Sequence, residues 1–364
     1  MRRVWLRRAL LAIACALTVL AATCTSRDAG SKAPNAAGSG VLEQVKQRGK
    51  LRCGVNKDVP GFGFLTPAGT FAGFDIDFCH VIATAVLGNP DAVEFKPLDA
   101  NQRFPALQSG EIDVLVRNTT VSASRDGADA ATFAVPTFYD GQGMMVKASS
   151  KVRTLQDLQD SAVCVLAGTT NELNLASQFA ARGIRYEPRS FQTVDTLRQA
   201  FTQGRCDAWT SDKSQLAGLR STWPADQGGP AALVILPDTL SKEPLAPAVR
   251  DGDARWAQAV DWAVLSTIQA EEFGLTKANV DQVRTSTTDP EVKRFLGLPL
   301  QQGGQPFDPK LGLPVDFAYK VVKQVGSYGE IYDRNVGPST PLGLARGLNQ
   351  LWSKGGLLYA PPYR

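Results

Sequence analysis

Apolar positions along this chain follow two rhythms, a strand-like alternation and a helical spacing, and they recur in the same order twice. A helix is predicted over Val41 to Arg48, closed by Gly49, and a strand over Leu51 to Val55. Asn56 to Gly73, broken by proline and glycine, reads as a loop carrying Phe62 and Phe64. Asp75 is placed to cap a helix whose inward stripe is Cys79, Ile82, Ala83 and Val86, stopped by Gly88-Asn89-Pro90. A strand over Ala92 to Leu98 and a helix from Asn101 to Gln108 follow, the helix ended by Gly110. A third strand comes next, with Ile112, Val114 and Val116 alternating with Asp113 and Leu115. Short loops in a β-α-β-α-β run imply a parallel sheet covered by helices, because parallel neighbours need crossover connections.

Phe133 to Lys147 reads as an exit from that sheet, a hinge strand with Tyr139, Asp140, Gly141 and Gly143 between apolar halves. A short helix at Thr154 to Leu158 precedes the second run. Its predicted elements are a strand at Ala162 to Leu166, a helix opened by Gly168-Thr169-Thr170 with Leu173, Leu175, Ala176 and Phe179, and a strand at Arg185 to Phe191. A helix capped by Thr193 and a strand at Arg205 to Thr210 complete it. Pro237 to Val249 then returns as an extended, proline-stiffened crossing. Helices are predicted at Arg255 to Glu272, with Trp256, Val260, Val264 and Ile268 on one face, at Val315 to Val325 and at Leu342 to Trp352. The expectation is an α/β chain of two similar lobes, each a mainly parallel sheet flanked by helices, joined by two hinge crossings. Residues 41–140 begin the first lobe, 141–243 form the second, and 244–364 return to the first with a C-terminal helical extension.

Composition changes this picture mainly at the N-terminus. With 43% hydrophobic and 20% charged residues among 364, the chain is ordinary globular material with room for about two domains. Residues 1–23 place Arg2, Arg3, Arg7 and Arg8 before the apolar run Ala9 to Ala22, the pattern of an export signal and too short for a membrane span. Leu20-Ala21-Ala22-Thr23-Cys24 resembles a lipoprotein cleavage box with Thr where Gly, Ala or Ser is usual. Lipidation at Cys24 and a soluble secreted product are the two readings. Residues 24–40, rich in Gly, Ala and Ser, read as a flexible tether.

The leader's four arginines account for the formal charge of +4, so the mature chain is near neutral and offers no electrostatic case for nucleic acid. Of six cysteines, Cys53, Cys79, Cys164 and Cys206 lie in the body, and an even number in an exported chain favours disulfides. Cys53 lies on the strand that Cys79's helix should cover, and Cys164 and Cys206 lie on strands expected to be neighbours. Those two pairs are the geometrically reasonable choice among three possible pairings. No C-x-x-C spacing points to zinc.

Ligands of open α/β sheets bind beyond the carboxyl ends of the strands. The stretch Glu111 to Arg125 delivers Arg117, Asn118, Thr119, Thr120 and Arg125 to one such end. Thr169 and Thr170 follow Cys164's strand, and Asp212 follows Cys206's strand. A guanidinium, hydroxyls, a helix N-terminus and a carboxylate together match a zwitterion. Arg125 and the amides at Thr170 would take an α-carboxylate, and Asp212 with Thr120 an α-ammonium. The only histidine, His80, sits on the early helix, so a Ser-His-Asp constellation or a two-histidine metal site has little to draw on. No phosphate loop of the G-x-x-x-x-G-K-[ST] kind is present. No metal, cofactor or catalytic residue is assigned.

At this point the chain resembles a family, the periplasmic amino-acid-binding proteins of ABC importers with the type II two-lobe fold, and within it the general L-amino-acid-binding subgroup. The motifs are GFDIDFC (Gly73 to Cys79), ALQSGEIDVLVRNTT…SRD (Ala106 to Asp126), TFYDGQGMMVK, CVLAGTTNELNLA, GRCDAWTSD, SKEPLAPAVRDGD and ARGLNQLWSKGGLLYAPPYR. The resemblance implies Arg125 on the ligand carboxylate, Thr120 on both polar ends, Thr170 as an amide donor, Asp212 on the ammonium, and Arg117 near it through its carbonyl. Positions at which narrow-specificity relatives stack an aromatic on the ligand match Val59 and Ala100, which implies a broad pocket, with Asn56, Phe62, Asn101 and Arg103 as candidate side-chain contacts. The stretch from about Lys277 to Pro314 looks like an addition to smaller members. The implied function is capture of polar L-amino acids by hinge closure and delivery to membrane permease subunits, by a periplasmic or extracytoplasmic monomer. The alternatives on the same fold are an enzyme resembling the periplasmic cyclohexadienyl dehydratases and a ligand sensor for a signalling partner.

Overall fold

The two β-α-β runs each build one five-stranded sheet in the computed structural model, which describes residues 40–364. The signal peptide, most of the tether and Cys24 lie outside the described residues. In the first sheet the spatial order is Val93–Pro97, Leu51–Val55, Val114–Leu115, Ala248–Arg250, Ala131–Phe133. In the second it is Tyr186–Phe191, Ser161–Leu166, Ala208–Asp212, Gln142–Lys147, Leu233–Ile235. The first three strands of each order run parallel, the fourth runs antiparallel to both of its neighbours, and the fifth therefore points the same way as the first three, so each sheet is mixed but mainly parallel, as expected. The antiparallel strands are those that enter a sheet from the connections between sheets, where no crossover helix intervenes.

Strand alternation supplies two faces per sheet. Cys53, Val55, Val114 and Val116 face a large core with Phe74, Trp256, Phe317 and Tyr328. Leu115, Ala131 and Ala248 face a small cluster with Leu107 and Ile112. In the second sheet Met145, Cys164 and Trp209 pack on one side, and Met144, Val163 and Ala208 on the other. One disulfide joins Cys53 to Cys79, with Cα atoms 6.2 Å apart, and a second joins Cys164 to Cys206, with Cα atoms 5.7 Å apart. Closing loops of these lengths removes about 3–4 kcal/mol of unfolded-chain entropy per bridge in the simplest model.

The chain passes between the sheets twice. Phe138–Asp140 leads into the second sheet and Glu243–Leu245 leads back, and the two crossings pair antiparallel, with Glu243 opposite Asp140 and Leu245 opposite Phe138. The buried Asn349 splints this pair from the C-terminal segment. Its side chain accepts from the Tyr139 N–H at 2.7 Å and donates to the Tyr139 carbonyl at 3.1 Å, as a neighbouring strand would.

Several elements depart from the sequence reading. Asn56 to Gly73 is not a plain loop but a small antiparallel sheet of Asp58–Val59, Gly63–Leu65 and Phe71–Ala72. Gly73, at φ 126°, caps the helix Phe74–Leu87, because a side chain there would collide with the Phe62 carbonyl. Asp75 is therefore inside the first turn and buried. Leu173 faces solvent at 70% exposure, leaving Leu175 and Phe179 to bury that helix. Cys206 precedes its strand, which runs Ala208–Asp212. Leu342 to Trp352 is not a helix. Pro341 and the positive-φ residues Gly343 and Gly347 hold it irregular, with 3-10 turns at Gly347–Asn349 and from Trp352. Helices at Val280–Ser286, Pro290–Phe295 and Tyr328–Asn335 were not anticipated.

Candidate functional site

The carboxyl ends of both sheets' parallel strands meet across one cleft. Asn56, Arg103, Arg117, Asn118, Thr120 and Arg125 line it from the first sheet, and Leu166, Thr169, Thr170, Asn171, Asp212 and Gln215 from the second. Nine of the twelve candidate ligand residues are therefore brought together. Three are elsewhere. Thr119 is buried behind the wall, its hydroxyl donating to the Arg117 carbonyl at 2.9 Å. Phe62 is a core residue packed on Phe74 and Phe138, at ring-centroid distances of 5.8 and 5.1 Å. Asn101 is exposed and donates to Gln192 at 2.8 Å at the cleft's outer margin.

Local structure explains how each group is aimed. Ser122 caps the short helix Ala123–Gly127, which sets Arg125 back toward the strand end, where its guanidinium donates to the Thr120 carbonyl at 2.8 Å and lies 5.5 Å from the Phe104 ring. Asn118 takes the left-handed conformation, φ 32°, with its N–H on Asp75 at 2.8 Å, and so turns its side chain to Asn56 and Gln215. Thr169 caps the helix Thr170–Ala181, whose first-turn N–H groups have no intrahelical partner and a positive dipole end. Asp212 ends its strand and precedes the helix Lys213–Ser221, and it accepts from the Asn171 side chain at 3.0 Å.

Three guanidiniums share the first sheet's side. Arg103 donates to the Gly168 carbonyl at 3.0 Å while its Nε is buried without a partner, and Arg117 donates to the Leu98 carbonyl at 2.7 Å. Burial lowers all three from the ordinary arginine range, Arg117 to about 10. For Arg103, repulsion from Arg125 and Arg117 lowers it further. Because arginine keeps its proton in proteins, these shifts express an unfavourable concentration of buried positive charge that an anion would relieve.

The opposite wall has the complementary problem. Burial, then repulsion from Asp140 and Glu243, pushes the Asp212 carboxyl up to about 7. At the crossing, burial raises Asp140 to about 6 even though it accepts from the backbone of Gly141 and Ser214, and behind the first wall burial raises Asp75 to about 6 despite its bond from Asn118. A cation placed beside Asp212 would relieve that side.

Sequence reasoning missed Asn171, Gln215 and Glu243. The first two occupy the opening turns of helices that start at strand ends, and that position was the available signal. Glu243 had none, since in the crossing Lys242-Glu243-Pro244 it reads as a solvated charge. It is 1% exposed. His80, by contrast, pairs with the Pro90 carbonyl at 2.6 Å, away from the cleft. Among the described residues no group of three or more His, Cys, Asp or Glu is placed to hold a metal ion. Nor is any helix among them long and apolar enough to cross a membrane.

Two mixed sheets joined by a paired double crossing, with oppositely charged walls facing one cleft, define a hinged binding protein. The model of the bacterial extracellular solute-binding proteins, family 3, matches residues 51–338, and the chain belongs to that family. It is 47% identical over 330 residues to the general L-amino acid-binding periplasmic protein AapJ of Rhizobium johnstonii, covering 91% of this chain and 94% of the relative. It is 45% identical over 329 residues to the glutamate/glutamine/aspartate/asparagine-binding protein BztA of Rhodobacter capsulatus, covering 90% and 95%. Among solved structures it is similar to an ABC transporter periplasmic binding protein from Brucella ovis with glutathione bound, at TM-score 0.83 and 44% identity, covering 90% of this chain and 100% of that one. These relatives are binding proteins rather than enzymes.

Proposed function

We propose that this solute-binding protein captures polar L-amino acids of several kinds and presents them to the permease subunits of an ABC importer. Residues 41–140 with 244–364 move as one lobe and 141–243 as the other. The observation that carries the reading is that Arg125 and Asp212, supplied by different sheets, line the same cleft. Arg125 and the N–H groups at Thr170 take the α-carboxylate, Asp212 and Thr120 take the α-ammonium, and Arg103, Asn56, Asn118 and Gln215 meet the side chain. Binding of both ends joins the lobes, and the closed form is the one the permease recognises. The names of the two relatives support a free amino acid as cargo. The protein acts as a monomer. Its leader directs export, and Cys24 is the proposed lipid attachment site, tested by detergent partitioning of the exported protein and its Cys24→Ser variant.

Calorimetry with a panel of L-amino acids tests the reading. Saturable heat is expected from several polar members, weakened at least about thirtyfold in Arg125→Ala, the scale of removing one partner of a buried charge pair. No heat from any polar member, or unchanged binding in Arg125→Ala, contradicts it. Glutathione belongs in the panel because of the Brucella ovis structure. Its γ-glutamyl residue offers the same free α-carboxylate and α-ammonium, so binding of glutathione alone would move the assignment to γ-glutamyl peptides.

A further inference from the structure

Glu243 is a buried carboxylate on the returning hinge strand, outside the cleft lining, and it collects donors from both sides of the cleft. Its Oε2 accepts from the hydroxyl of Thr120 at 2.6 Å and from that of Thr170 at 2.9 Å. Its Oε1 accepts from the side-chain amide of Asn174 at 2.8 Å and from the hydroxyl of Ser241. Thr120 follows a strand of the first sheet, whereas Thr170 and Asn174 lie on the helix that follows a strand of the second.

A carboxylate has only acceptor sites, about four of them on two oxygens, and here four donors fill them. Each threonine hydroxyl owns a single proton. With that proton given to Glu243, Thr120 Oγ1 and Thr170 Oγ1, 3.4 Å apart, can offer only lone pairs to the cleft. Lone pairs suit an ammonium and repel a carboxylate. The two hydroxyls, which taken alone could serve either end of a ligand, are thereby committed to one.

We infer that Glu243 is a positioning residue that fixes the hydrogen-bond polarity of Thr120 and Thr170, so that both hydroxyls accept from the ligand's α-ammonium. The inference rests on the amino-acid reading above and sharpens it. The ammonium pole consists of Asp212 and two oriented hydroxyls, and the carboxylate is left to Arg125 and the backbone amides. It also assigns Thr170 a second role, through its side chain, beyond its N–H.

The test compares L-glutamate with L-2-hydroxyglutarate, which replaces the ammonium by a hydroxyl at similar size, in calorimetric titrations of the mature protein. Glu243→Gln keeps the shape but brings an amide N–H₂ into the donor set, so at least one of the four donors must turn. Wild type is expected to prefer L-glutamate. In Glu243→Gln the ratio of the two affinities should fall about tenfold or more, the worth of a hydrogen bond to a charged group, mostly through weaker L-glutamate binding. Thr170→Val, which removes one oriented hydroxyl and leaves Glu243 in place, should lower the same ratio and keeps the question open to test should Glu243→Gln fold poorly. Equal weakening of both acids in the two variants would mark Glu243 as a strut of the fold and overturn the inference, as would an unchanged ratio. Wild type that binds no L-amino acid would refute the functional reading and the inference with it. Wild type that binds L-glutamate with an unchanged ratio in the variants refutes the inference alone.

Discussion

Asp212 and Arg125 show why this cleft favours a ligand with two opposite charges. Each is buried where its charge is poorly solvated, and each is paired mainly with neutral groups, Asp212 with the Asn171 amide and Arg125 with the Thr120 carbonyl. With the lobes together, protonation relieves Asp212, which is what its rise to about 7 means. Between the ordinary carboxylate range near 4 and about 7, the folded chain holds a proton that the unfolded chain releases. Unliganded stability is therefore greatest at the acidic end of that window, falls as pH rises through it, and levels off above about 7. Asp140 and Asp75 add the same slope up to about 6. Ligand affinity moves the other way, because an ammonium needs the ionised carboxylate. It should weaken as pH drops below about 7, by at most about tenfold per unit for one proton. Asp212→Asn should separate the two effects. Thermal melts at pH 8 should show unliganded protein more stable than wild type, by an amount on the order of a few kcal/mol. Titrations should show affinity for L-glutamate about a hundredfold weaker, with the slope between pH 5 and 7 flattened. A variant with unchanged affinity would remove Asp212 from the ammonium pole.

Elements with a clear period were legible in the sequence. The helices Val41–Arg48 and Val194–Thr202 stand where apolar spacing and a cap residue put them, because their local chemistry and their burial agree. The strand-end row from Arg117 to Arg125 was legible for the same reason: a run of alternation stops and polar groups follow. What could not be read depends on contacts made far along the chain. Asp75 looks like a cap until Gly73 is seen packed on Phe62, and Glu243 looks solvated until the two crossings are paired. Leu342 to Trp352 has enough apolar residues for a helix but also Gly343 and Gly347, and it is spent on the hinge through Asn349 instead. The helix Lys213–Ser221 makes a further contact that sequence does not show. At Gly218 it lies so close to the Pro60 carbonyl that an added Cβ would overlap it. This contact joins the second sheet's helix to the first sheet's loop across the cleft, so in the hinge reading it forms on closure. Gly218→Ala should therefore weaken amino-acid affinity by about tenfold, the lower part of the overpacking range, with the unliganded melting temperature changing little. A large drop in unliganded melting temperature would show that the contact supports the fold itself.

At the scale of the molecule, two sheets that could have been independent are linked by a pair of crossing strands and by a cleft whose walls carry opposite charge. The first sheet's side concentrates Arg103, Arg117 and Arg125, and the second sheet's side holds Asp212 with Asp140 close by. Direct contacts across the cleft include Arg103 to the Gly168 carbonyl, Asn101 to Gln192, Asn118 to Gln215 and the close approach of Gly218 to Pro60, but among the described residues no ion pair joins Arg125 to Asp212. Closure therefore depends on what lies between the walls, and a ligand must satisfy both to hold them together. The most direct measurement is calorimetric titration of the mature protein with three related molecules: L-glutamate, glutarate without the α-ammonium, and 4-aminobutyrate without the α-carboxylate. L-Glutamate should bind saturably and each of the other two at least about a hundredfold more weakly, since each leaves one buried charged wall unpaired. Comparable affinity for glutarate or 4-aminobutyrate would contradict the two-ended grip on which the account rests.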